Sequence, residues 1–356
     1  MTVSIREIHT FNKYSEKLWG NLFQEVNYAT PYQTWEWNYN YWKYFGRNKQ
    51  LKILGFEENC KLIGVLPLWL RKLDPISVIE PVGSRGTDYL PFLISDDRFE
   101  DVITEFLNWY KQSNVEIINM EDLPYREHTI NILIHKLQLS GLAFDFNTKY
   151  CPCYSIHLDR CWTKYLNKLS KRTQKDIHYY RRRARSAFEK VDIRTSDASE
   201  VDKHFYLHQK IRNTKGDRGA YATYKGRSFI QRYAKLMEQN NSLKLMFLSF
   251  DNKDVASILG VESKGIRFNI TVGYDPSYSK FRPGTLLYSY DIEDCISKGT
   301  HEYDLSRGAE PYKETLGASK KFNTRIVISK SKDMINRYLK YQKVFWKGAD
   351  YAPTEK

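Results

Sequence analysis

Residues 243–313 read LKLMFLSFDNKDVASILGVESKGIRFNITVGYDPSYSKFRPGTLLYSYDIEDCISKGTHEYDLSRGAEPYK, and their reading decides the fold. From Leu243 to Gly273 apolar and β-branched residues recur at alternate or near-alternate positions, broken by Asp251-Asn252-Lys253 and by Lys264-Gly265. Such alternation, punctuated by short polar turns, predicts an antiparallel meander of three strands. After Asp275-Pro276 the period becomes helical. Leu287, Tyr288, Ile292, Cys295 and Ile296 share one face, and Gly299 is a natural stop. A last short strand and turn follow in HEYDLSRGAEPYK.

The link from sheet to helix, read as a turn from Tyr278 that opens a helix by Leu287, has a physical use. Gly284 lets a backbone approach a ligand closely, and Pro283 stiffens the helix entry. The first N–H groups of the helix, from Thr285 to Leu287, would face whatever docks there, and a phosphate or diphosphate is the expected guest. Lys280 and Arg282 add positive charge at the same end.

In element order this stretch resembles the GNAT acyltransferase superfamily, with Arg282-Pro-Gly-Thr-Leu-Leu287 standing where that superfamily has its glycine-containing cofactor turn. The closing YDLSRGAEPYK, Tyr303 to Lys313, more narrowly resembles the acetyltransferases of cellulose biosynthesis, and less closely the Fem-type peptidyltransferases. The superfamily's usual turn has more glycines. The resemblance is clearest from Leu166 to Gly317. It implies acetyl-CoA or another acyl-CoA as co-substrate, held by Arg282, Gly284, Thr285, Leu286 and the strand that contains Val272. It also implies that Asp304, Glu310, Tyr312 and Lys313 surround the acceptor. Asp304 would take a proton or orient an amine, Tyr312 would protonate the leaving thiolate, and Lys313 would stabilise an oxyanion or hold a phosphate. The alternative for this group is an ion-pair network that closes the domain.

A length of 356 residues suits two domains. The pattern of Leu51–Phe56, a turn at 57–59 and Cys60–Leu68 matches that of Leu243–Val261, which suggests two copies of one plan. The expectation is therefore an α/β (α+β) protein of two tandem GNAT-like domains, 1–155 and 156–356, each a largely antiparallel mixed sheet flanked by helices. The acceptor would lie in the cleft between them. In the first copy Val82–Leu90 replaces the phosphate turn, so cofactor binding is expected only in the second. Gly83, Arg85 and Gly86 shape that loop, and Asp88 and Tyr89 either contact the acceptor or belong to an ordinary connection. Between Pro31 and Phe45 aromatics are dense; they form a buried helix under the sheet or, by the resemblance, Gln33 and Trp37 floor an acceptor pocket. Helices are expected at Asp97–Gln112 and Tyr125–Leu139, strands at Val115–Met120 and Leu142–Phe146.

Charge is concentrated. The chain carries a formal +14, and 159–235 alone holds 21 Lys and Arg against 8 Asp and Glu. A field of that sign favours phosphorylated cofactors, tRNA or acidic glycans. A helix expected at Trp162–Lys190 presents Lys171, Arg172, Lys175, Arg181, Arg182, Arg183 and Arg185 either to water or to phosphates. On a further helix, Val201–Arg212, the resemblance marks His208 and Arg212 as bordering the active site. Five cysteines without framework spacing fit a reducing compartment. Strand alternation explains Cys153, Ser155 and His157 without a metal. With no apolar run of membrane-spanning length, the expectation is a cytoplasmic, soluble protein. Gly-x-Ser-x-Gly, Walker and dinucleotide-binding patterns are absent.

Three readings follow: an acyl-CoA-dependent N- or O-acyltransferase of polysaccharide-biosynthesis type, an aminoacyl-tRNA-dependent transferase of Fem type, and a non-catalytic anion or nucleic-acid binder.

Overall fold

Residues 3–73, 75–84, 86–89, 92–124 and 126–345 are described by the computed structural model; Arg85 of the shaped loop lies outside them. In chain order they form β1 (Ser4–Ile8), α1 (Lys13–Glu25), α2 (Trp35–Phe45), β2 (Gln50–Glu58), β3 (Lys61–Leu73), β4 (Ile76–Pro81), β5 (Leu93–Ile94), α3 (Phe99–Gln112), β6 (Ile117–Leu123), α4 (Glu127–Ser140) and β7 (Ala143–His157). There follow α5 (Trp162–Lys168), α6 (Lys171–Ala187), β8 (Val191–Ser196), α7 (Val201–Thr214), α8 (Tyr224–Gln239), β9 (Leu243–Phe250), β10 (Lys253–Ser263), β11 (Ile266–Tyr274), α9 (Pro283–Ser297), β12 (Glu302–Arg307), α10 (Pro311–Thr315), β13 (Ser319–Ser329) and α11 (Lys332–Phe345).

The chain divides into two units, Met1–Pro152 with Phe322–Lys356, and Cys153–Lys321. Each repeats one plan, a mixed sheet flanked by helices. The first orders its strands β1-β2-β3-β4-β6-β13, with β5 paired to β3; the second orders them β8-β9-β10-β11-β12-β7. In both, neighbours are antiparallel except one parallel pair, β4 with β6 and β11 with β12. The segment from Phe322 on, expected with the second domain, groups instead with the first unit. There β13 pairs antiparallel with β6, and Ile335 and Tyr338 of α11 bury against Val78, Ile117 and Val327.

Strand alternation places the cores. In the first unit Leu54, Phe56, Leu66 and Leu68 pack under α3 with Val102 and Phe106, while Leu51, Ile53, Val65 and Trp69 pack with Trp19 and Leu22 of α1. In the second, Met246, Leu248 and Ile258 pack with Ile177, Leu286 and Tyr288. The single helix expected at Trp162–Lys190 is two. Ser170 is extended (ψ 148°) and its hydroxyl caps α6 by accepting from the Thr173 N–H, so the backbone breaks where a cap is available. The strand expected at Leu142–Phe146 runs on through CYSIH as one strand, β7.

Candidate functional site

The second unit's site begins with an irregularity in β11. Across from β10, Thr271 pairs with Leu259 and Asn269 with Gly260, which leaves Ile270 as an extra residue, a β-bulge. The bulge resets the alternation. Before it, Arg267 and Asn269 reach α9, where they bond Asp291 and Tyr288; after it, Val272 and Tyr274 pack with the α9 core while Thr271 turns to His204 of α7. On its other edge β11 runs parallel to β12 only at Ile266–Glu302, Arg267–Tyr303 and Phe268–Asp304. Beyond these pairs the two strands part, and among the described residues no strand covers that edge of β11 from Ile270 to Tyr274.

The parted edge leads to the start of α9. Pro276–Phe281 form a 3₁₀ turn, and Arg282 then takes a left-handed conformation (φ 48°), so the helix opens at Pro283 rather than by continuation from Tyr278. Arg282 supplies no side-chain cap, and the first turn holds no acidic residue. The N–H groups of Gly284 and Thr285 are therefore open. That of Leu286 already donates to the Arg282 carbonyl at 2.9 Å, and its side chain is buried, which removes it from the expected set of free donors. A Cβ on Gly284 would meet the Tyr274 ring at 3.2 Å. Arg282 lies 3.7 Å from the Asp176 carboxylate and 5.0 Å over the Tyr180 ring. In the first unit the corresponding helix, α3, carries Glu100 and Asp101 in its first turn, which disfavours a phosphate there.

Beside the parted strands stands an aromatic pair. Tyr312 of α10 stacks on Tyr288 with ring centroids 5.3 Å apart and hydroxyls 3.3 Å apart, and the Asn269 amide donates to the Tyr288 hydroxyl at 2.9 Å. Burial pushes both phenols well above the ordinary tyrosine value, so both stay protonated; the nearby Arg212 charge pulls Tyr312 only weakly the other way. Asn269 Oδ1 is buried without a partner. Asp304 is 7% exposed, and its carboxylate accepts the Ser306 N–H at 2.6 Å across a left-handed turn.

Lys313 is placed differently from expectation. Its ammonium donates to the carbonyls of Ser306 (3.2 Å), Arg307 (2.7 Å) and Gly308 (3.1 Å) and pairs with Glu310 at 3.0 Å. Three protons meet four acceptors, so Lys313 and Glu310 staple the turn after β12.

On α7, His204 is fully buried, with Nδ1 2.9 Å from Ser257 Oγ and Nε2 2.8 Å from Thr271 Oγ1, itself 2.6 Å from the Tyr221 hydroxyl. One turn on, His208 packs so closely on β11 that a Cβ at Gly273 would lie 2.4 Å from its backbone nitrogen. Its Nδ1 is buried without a partner, and Arg212 Nε lies 3.5 Å from its Nε2. Burial, with Arg212 adding, lowers the His208 pKa to about 4, and burial holds His204 well below its ordinary value. Both are neutral when folded and regain their ordinary affinity for protons when unfolded. Stability from these two is therefore fully present above pH ~6.5 and is lost as pH falls toward 4, His208 alone contributing a loss of roughly 3 kcal/mol at pH 4. Urea unfolding at pH 7, 5.5 and 4.5 checks this: His208→Gln should unfold with a shallower pH dependence than the parent chain.

In the first unit, Tyr32 gathers three of the expected acceptor residues. Its ring meets Trp37 at 4.8 Å and Tyr89 at 5.9 Å, and its hydroxyl donates to Asp88 at 3.1 Å. Gln33 turns away, its amide nitrogen donating to the Phe92 carbonyl at 3.2 Å and its oxygen accepting the Thr30 N–H at 2.8 Å. Among the described residues no group of three or more His, Cys, Asp or Glu side chains could hold a metal, and no helix is long and apolar enough to cross a membrane. His204, Arg267 and Asn269 went unread in the sequence, although Arg and Asn two apart inside an apolar strand signal a polar strip on one face.

No curated protein matches this sequence. Crystal structures share its fold at low identity. FemX matches with a TM-score of 0.67 at 10% identity, covering 94% of this chain and 99% of that one. A conserved protein of unknown function from Bacteroides thetaiotaomicron VPI-5482 matches with a TM-score of 0.61 at 9% identity, covering 92% and 100%. A tandem GNAT protein from the clavulanic acid biosynthesis pathway matches with a TM-score of 0.51 at 9% identity, covering 92% and 97%. In sequence, residues 171–314, which hold the bulged strand, the uncapped helix and the tyrosine pair, match the family profile described as "Acetyltransferase (GNAT) domain".

Proposed function

We propose that the second unit transfers an acyl group, acetyl as the first candidate, from an acyl-CoA thioester directly to an amine or hydroxyl of an acceptor, with a glycan as the candidate acceptor. The observation that carries this reading is the parting of β11 from β12 beside the uncapped start of α9. A diphosphate fits the open N–H groups of Gly284 and Thr285, where a larger side chain would fill the approach. The exposed edge of β11 from Ile270 to Tyr274, with Val272 at its middle, offers backbone groups to an extended amide-bearing arm. The thioester supplies an activated acyl carbon. Tyr312, kept protonated by burial, donates a proton to the departing sulfur; Tyr288, whose hydroxyl accepts from the Asn269 amide, holds the Tyr312 ring and hydroxyl in place. Asp304, His208 and Arg212 border the acceptor; as its nitrogen or oxygen bonds the acyl carbon and the carbon–sulfur bond breaks, Asp304 takes the proton the acceptor loses, and water returns one to Tyr312. The first unit carries no cofactor in this reading.

A second reading, an aminoacyl-tRNA donor, is favoured by one observation. Lys171, Arg172, Lys175, Arg182 and Arg185 are all exposed along α6, whereas Arg181 is bound to Ser289 and Glu293. Thermal unfolding with CoA, acetyl-CoA and bulk tRNA in separate tubes decides between them. Saturating ligand raises the midpoint by mass action, about 2.7 kcal/mol at a hundredfold excess over Kd. A shift with acetyl-CoA is expected; a shift with tRNA alone would overturn the first reading in favour of the second.

A further inference from the structure

The first unit holds a cavity that the acyl-transfer reading does not use. It measures about 50 Å³, and Phe92, Phe99, Leu123, Ile130 and Leu133 make its apolar wall. Its polar side differs in kind. The Thr30 hydroxyl oxygen lines it, shut off from solvent, and its proton has no acceptor. At the rim Arg126, exposed to water, lies 4.1 Å over the Tyr28 ring and donates through one Nη to the Tyr28 carbonyl at 3.3 Å, a bond that uses one of its five N–H groups. Tyr28 offers no free proton, because its hydroxyl donates to the Ile94 carbonyl at 2.7 Å.

An apolar wall, an unmet hydroxyl donor and a guanidinium together favour one kind of guest. We infer that this cavity binds a short aliphatic carboxylate, its alkyl chain among Phe92, Leu123, Ile130 and Leu133 and its carboxylate shared by Thr30 and Arg126. The volume admits an alkyl group of a few carbons. The Arg126 guanidinium repels an ammonium group, and an alcohol forgoes the charged pairing with it.

Calorimetric titration of the full chain with butyrate, 1-butanol and butylamine tests this. Butyrate should bind with a Kd of about a millimolar, and 1-butanol and butylamine at least about tenfold more weakly. Arg126→Gln, an exposed change, and Thr30→Val, which keeps the shape, should each weaken butyrate about tenfold while circular dichroism shows both variants folded at the titration temperature. Gly284→Trp should leave butyrate binding unchanged, so this site stands or falls apart from the acyl-CoA reading. Equal affinity for butyrate and 1-butanol, undiminished butyrate binding in both rim variants, or no butyrate binding at tens of millimolar would each overturn it.

Discussion

Tyr312→Phe should lower kcat by on the order of a hundred- to ten-thousandfold while KM for the acyl donor stays within a few-fold. The substitution keeps the ring, and with it the 5.3 Å stack on Tyr288, so it removes the proton and little else. Steady-state turnover with acetyl-CoA measures it. The sign of the pH effect follows from burial. A phenol raised above its ordinary value remains an acid past pH ~10, so the parent enzyme should show no alkaline decline at the usual tyrosine position. A Phe variant within twofold of the parent would mean that the sulfur takes its proton from water.

The second large effect is on stability. Arg267 is 1% exposed and Asp291 0%; they form a buried ion pair, and Tyr303 also donates to Asp291 at 2.6 Å. Arg267→Met would leave the Asp291 carboxylate of α9 in the core with the Tyr303 hydroxyl and the weak Cys295 thiol donor, and should cost about 3–5 kcal/mol in urea unfolding. Adding Asp291→Leu should recover most of that loss, because the cost comes from the stranded carboxylate and not from the missing attraction. If the single variant is as stable as the parent, the pair does not hold α9 to β11.

The extent to which the chain could be read in advance follows from the range of each signal. The meander from Leu243 to Tyr274 was legible because alternation and the turns at 251–253 and 264–265 are local. So was the switch to a helix after Asp275. The bulge at Ile270 was not, since a one-residue phase change is invisible until β10 is set beside β11. It is also what sends Asn269 toward Tyr288 and Thr271 toward His204, so half the site's polar contacts were hidden with it. The C-terminal assignment failed for a similar reason. Nothing within FNTRIVIS states that it will pair with Ile117–Leu123, some two hundred residues earlier, as β13 does. Lys313 was visible as a charged residue near the turn, but only the fold shows three carbonyls converging on it.

Calorimetric titration of CoA into the parent chain and into Gly284→Trp tests the central claim most directly. A Cβ at that position already meets the Tyr274 ring at 3.2 Å, so an indole there crowds the first turn of α9, where the open N–H groups lie. The account predicts saturable CoA binding to the parent and none to the variant, with the variant folded by circular dichroism. Equal CoA affinity in the two proteins would contradict it and place the cofactor elsewhere.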